Sequence, residues 1–135
     1  MEKESIKKEV TDQFNQLVSA VNSMNAEAWS EYYSKDEFLS AIASTDFFAT
    51  RSAWVSSITN YFSMRERQHI EPIEVRVDVL SSNLALMTSE EKVEMRLKSG
   101  ESIKCKHVFT MIWKREQDGW KILHSHESWM DEQAN

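Results

Sequence analysis

The residues best able to do chemistry lie near the C-terminus, in the run DGWKILHSHESW at residues 118–129. His124 and His126 stand two apart, Ser128 follows at the same interval, and Trp120 and Trp129 bracket them. In a strand this spacing puts all three polar side chains on one face, because successive residues point to opposite sides. Two imidazoles could share an ion, but zinc needs three or four ligands, and only His107 or Glu91 could supply more, so no metal is expected. Ser128 could be a nucleophile, yet same-face neighbours lie roughly 7 Å apart and no nucleophile-elbow motif surrounds it. Proton transfer is the third chemistry, with His126 or a Glu91–His107 pair as base. The plainer reading makes the histidines hydrogen-bonded polar anchors. It also turns Glu91 to solvent at a bulge in SEEKV, since one register step reverses a strand's faces.

The elements that must position these groups can be read from periodicity. Ile6, Val10, Phe14, Leu17, Val18 and Val21 recur at spacings of three and four, which is the apolar stripe of an amphipathic helix. Asn25 is placed to cap a short second helix through AEAWSEYY, and Thr50 or Ser52 a third through SAWVSSITNYFSMR. DEFLSAIAS is a candidate short strand between them. From residue 69 the period changes to two: Ile73, Val75, Val77 and Val79 alternate with charged residues, and further strands follow over about 84–97, 101–115 and 120–129. Helices followed by an antiparallel meander make an α+β fold with the helices on one face of a sheet.

Two glycines and one proline in 135 residues leave few turn markers, and both glycines sit at hairpins. Gly100 in a left-handed position gives a three-residue loop that pairs Met95 with Ile103, Val93 with Cys105 and Glu91 with His107. Asp118–Gly119 as a two-residue turn puts Trp113 opposite His124 and Met111 opposite His126. One face then runs from Glu91 to His124, His126 and Ser128 and receives the helices. Val108, Ile112, Leu123 and Trp129 form an apolar patch on the other face, where a homodimer is expected.

Composition narrows the function. A net charge of −6 and a pI near 5.2 argue against nucleic acid. There is no Gly-rich phosphate loop, no apolar run long enough to span a bilayer, and no signal-peptide core in MEKESIKKEV. A single cysteine, Cys105, rules out an intramolecular disulfide, so a cytoplasmic protein is expected.

The segment HVFTMIWKREQDGWKILHSHESW, preceded by three helices and a strand pair, resembles the nuclear transport factor 2-like superfamily. Within it the pattern is similar to SnoaL-like (polyketide-cyclase-like) domains and to the association domain of calcium/calmodulin-dependent protein kinase. NAEAWSEYYSKDEF resembles the second helix of that family and the acidic turn after it. The resemblance implies one domain over 1–135, a cone-shaped curved antiparallel sheet wrapped around the N-terminal helices (a cystatin-like α+β roll), an internal pocket and dimers through the outer sheet face. It also implies a family holding isomerases, cyclases and dehydratases beside non-catalytic binding and assembly modules. The expected function is therefore a cofactor-free domain binding an unidentified small molecule in a mostly apolar pocket. The expected lining is Trp29, Tyr33, Trp54, Phe109, Met111, His124, His126 and Ser128, with Trp29 and Tyr33 at the rim. The alternatives are an acid/base enzyme using His126, His107 or Glu91, and a homo-oligomeric assembly module.

Overall fold

The computed structural model describes residues 2–131. Helix α1 (Glu2–Asn22) buries Ile6, Val10, Phe14, Leu17 and Val21, as its three- and four-residue spacing requires. Helix α2 (Ala26–Ser30) starts at Asn25, whose side chain accepts a hydrogen bond from the Ala28 amide. Helix α3 (Arg51–Ser63) starts in the same way at Thr50, which accepts from the Ala53 amide, and it buries Trp54 and Phe62.

The strands are β1 (Ser40–Ala43), β2 (Asp46–Phe48), β3 (Arg65–Ser81), β4 (Leu84–Leu97), β5 (Ser102–Glu116) and β6 (Gly119–Asp131). They form one curved, unclosed sheet in the order β2-β1-β6-β5-β4-β3. The meander is antiparallel, while β1 lies parallel to β6, with Ile42 beside His126. Pro72 falls on the edge strand β3, where a missing ladder donor is tolerated.

Two register features decide what faces the core. The β4–β5 pairing is Met95 with Ile103, Val93 with Cys105 and Glu91 with His107, closed by Gly100 at φ +97°. The β5–β6 hairpin turns one residue earlier than Asp118–Gly119 implies, so each β5 residue from Trp113 to Glu116 meets a partner two positions earlier on β6. Glu116 pairs with Gly119, and Trp113 pairs with Ile122. An offset of two leaves the faces unchanged. The bulge that follows does not: Ile112 pairs with His124, so Leu123 is an extra residue and the parity of β6 reverses beyond it.

Candidate functional site

Across the concave face the cross-strand rows are Ile70–Val93–Cys105–Asp131, Pro72–Glu91–His107–Trp129, Val75–Ser89–Phe109–Glu127 and Val77–Met87–Met111–Ser125. Polar residues therefore gather in the two middle rows, with apolar Val93 and Cys105 on the side of the β4–β5 loop and Met87 and Met111 on the other. Between this face and the helices is a cavity of about 340 Å³. Helix α1 contributes Phe14, Leu17, Val18 and Val21 to its wall, and α3 contributes Trp54, Ile58 and Phe62. Tyr61, Met64 and Trp129 line it while remaining 40%, 47% and 43% exposed, so the mouth opens between the end of α3 and the end of β6.

The deep wall is aromatic. The Trp29 ring lies 4.7 Å from that of Tyr33, 5.9 Å from Trp54 and 6.1 Å from Phe62, centroid to centroid. Trp29 and Tyr33 are buried, so they form the back of the cavity and not its rim as expected. Burial raises the Tyr33 hydroxyl above its ordinary value, and the nearby Glu127 charge adds to this. It remains a neutral phenol across the physiological range.

The polar end is built from Arg65, Glu91, His107 and Glu127. Glu91 is fully buried, and neither carboxylate oxygen has a hydrogen-bond partner. The expectation that it points to solvent is overturned. The irregularity lies on the neighbouring strand, where β3 bulges between Pro72 and Glu74 opposite Glu90 and Glu91, and β4 itself keeps its alternation. Burial pushes the Glu91 carboxyl up to about 7; the Ser89 hydroxyl partly offsets this, and Glu90 adds to it. Glu127 is also pushed up to about 7, first by burial, then relieved by Arg65 and raised further by Glu91. The two carboxyl groups thus share one electrostatic environment.

His107 faces Glu91 across β4 and β5, and its Nδ1 lies 3.8 Å from a Glu127 oxygen. Its ring stacks on Trp129 at 5.6 Å with 27° between the planes. Burial, reinforced by the Arg65 charge, lowers its pKa to about 4, so it is a neutral imidazole near pH 7. Arg65 donates to Gln68, and Gln68 in turn donates to the Val21 carbonyl at 2.9 Å, which ties the guanidinium to the end of α1.

The Leu123 bulge moves the other candidates. His124, His126 and Ser128 point to the convex face, and Ser125 and Glu127 take the inward positions they were expected to hold. His124 Nδ1 lies 2.9 Å from the Ser40 hydroxyl on β1. His126 and Ser128 line a shallow outer groove with Arg76, Glu90 and Thr110. The same reversal removes Trp129 from the expected outer apolar patch and places it at the cavity mouth, while Val108 stays outside. Of the expected lining, the cavity brings together Trp29, Tyr33, Trp54, Phe109 and Met111, along with Glu91 and His107. Arg65 and Glu127 were not foreseen. The adjacent apolar residues Ile122 and Leu123 were the one available sign of a bulge. Among the described residues, no three His, Cys, Asp or Glu side chains converge as metal ligands would.

A model of the SnoaL-like domain family matches residues 10–132. No curated protein matches the chain by sequence. Among solved structures, the chain is similar to a proposed dehydratase of the nuclear transport factor 2-like family from Streptomyces avermitilis, with 18% identity, TM-score 0.83, and 93% of this chain and 97% of that one covered. A nuclear transport factor 2-like superfamily protein from Salmonella enterica serovar Typhimurium gives 13% identity and TM-score 0.83, covering 98% and 94%. A proposed calcium/calmodulin-dependent protein kinase II association domain from Xanthomonas campestris gives 16% and 0.77, covering 90% and 86%. Likeness at these identities is likeness of fold.

Proposed function

The chain belongs to the SnoaL-like domain family, and we propose that it binds one small, mostly apolar molecule in the cavity, with that molecule's polar end against Glu91, His107 and Glu127. The observation that most supports this is Glu91, a carboxyl group with no hydrogen-bond partner in the wall of a largely apolar cavity. Such burial is costly, and a ligand group that hydrogen-bonds to it offsets the cost. The cavity volume also falls within the range of small-molecule sites, roughly 300–1,000 Å³. The test is uptake of 4-phenylbutanol, followed by tryptophan fluorescence and native mass spectrometry, in the wild type and in Met111→Trp, which fills the cavity. One-to-one uptake by the wild type alone is expected. Equal uptake by both would move binding elsewhere, and none by either would remove the reading.

A second reading is favoured by the pair of carboxyl groups near 7 beside a neutral imidazole. One glutamate, ionised, would take a proton from a carbon beside a carbonyl. The other, protonated, would give a proton to the carbonyl oxygen or to a departing hydroxyl. That is the proton balance of an isomerase, cyclase or dehydratase. Here Glu127→Gln abolishes turnover of a substrate it still binds, and retained turnover would exclude Glu127 from the chemistry.

A further inference from the structure

We propose that the molecule selected by this cavity carries a protonated amine at its polar end, on an aromatic or aliphatic body. The inference rests on reading the cavity as a small-molecule site and adds the charge of what enters it. Its first support is the surplus of acceptors. Both oxygens of Glu91 lack hydrogen-bond partners. Glu127 is buried in the same wall, and Asp131 lies at the mouth. Several acceptors thus converge where a ligand would meet them, and an ammonium group brings up to three donors and no acceptor.

The second support is the balance of charge around that end. The ionisable groups facing it are Tyr61 from α3, Arg65 from β3, Glu91 from β4, Cys105 and His107 from β5, and Glu127 and Asp131 from β6; Tyr33 lies deeper. The stretch of α1 that lines the cavity, Phe14 to Val21, contributes no ionisable side chain to the wall. Arg65 is the one cation in this set. Its guanidinium donates to Gln68 and sits 5.8 Å from the Tyr61 ring centroid, and no ion pair within 4.0 Å joins it to either glutamate among the described residues. With both glutamates ionised, negative charge exceeds positive. A carboxylate ligand meets two like charges, and an alcohol satisfies hydrogen bonds but leaves the charge uncompensated. The rim is aromatic as well: Trp129, which stacks on His107, and Tyr61, which lies under the Arg65 guanidinium, stay half-exposed at the mouth.

The preference must then follow the glutamates, which titrate near 7, whereas an alkylamine stays charged throughout. The experiment compares three probes of one skeleton, 4-phenylbutylamine, 4-phenylbutanol and 4-phenylbutyrate, by isothermal titration calorimetry at pH 5.5 and 8. The result expected at pH 8 is amine binding at least tenfold tighter than the alcohol, with the carboxylate weakest. At pH 5.5, and in Glu91→Gln at either pH, the amine and alcohol converge. Glu127→Gln is the parallel variant should Glu91→Gln fail to fold. Alcohol and amine bound equally at pH 8, or the carboxylate bound best, would overturn the inference while leaving the cavity reading intact. Binding of none of the three would overturn both.

Discussion

Replacing Glu91 with glutamine isolates the electrostatic cost of the site. The carboxyl group titrates near 4.5 when exposed and about 7 in the fold. Because the folded value is the higher one, its contribution to stability is fully present below about pH 4.5 and is lost as pH rises through about 7. The separation converts to about 3 kcal/mol lost by pH 8, at 1.36 kcal/mol per unit. Glutamine keeps the shape and cannot ionise, so Glu91→Gln should be about 2–3 kcal/mol more stable than the wild type at pH 8, once the amide's own unpaired burial is counted. Near pH 4.5 the two should be almost equal. Urea unfolding followed by tryptophan fluorescence from pH 4.5 to 8.5 gives both curves. The reasoning is refuted if they run parallel across that range, or if the variant is the less stable at pH 8. His107 acts in the opposite sense: lowered from 6.5 to about 4, it costs stability as pH falls through that interval, in wild type and variant alike.

Other consequences follow from the same geometry. Trp54→Ala removes a ring packed 5.3 Å from Phe48, 5.9 Å from Trp29 and 6.0 Å from Tyr33, and should lower unfolding free energy by about 3–5 kcal/mol in urea titrations. His126→Ala, on the convex face, should leave 4-phenylbutanol affinity within twofold of wild type, and a large loss would mean that β6 faces the other way. The apolar outer positions Val108 and Ile112 support the proposal of a homodimer through the convex face. Val108→Lys should then shift sedimentation from dimer to monomer, and an unchanged profile would remove that surface from assembly.

How much of this was visible in the residues depended on where the parity of each strand is set. Gly100 and the mismatch of apolar against charged residues in the rival register were enough to place Glu91 opposite His107, and the structure has that pairing. The direction of Glu91 was missed because the register irregularity falls on β3 at Ile73 and not in SEEKV, and the alternation of Ile73 with Val75 gave no hint that Ile73 would be 50% exposed. On β6 a single inserted residue exchanged His124, His126 and Ser128 for Ser125, Glu127 and Trp129. Beyond the adjacent apolar pair Ile122 and Leu123, hydrophobic patterning gave no sign of the exchange, because the first set is wholly polar and the second carries only one apolar residue, Trp129. Arg65 went unseen for a different reason. It lies at the α3–β3 junction, before the alternating pattern starts, and it belongs to the site only because Gln68 and the end of α1 hold it there. The starts of the helices were legible, since their caps and stripes are local, but their ends were not: the second stops at Ser30 where AEAWSEYY implies helix to Tyr33, and the third at Ser63, two residues short of Arg65.

The central claim, that a small molecule occupies the space between the helices and the concave sheet, is tested most directly by methionine methyl NMR. Met95 and Met111 line the cavity, and Met130 is 73% exposed near the end of β6. With 13C-labelled methionine methyls and 4-phenylbutanol added stepwise, the Met95 and Met111 resonances should move along one saturating curve while Met130 stays fixed. Movement of Met130 alone, with Met95 and Met111 unchanged, would place the molecule on the outside of the sheet and contradict the account.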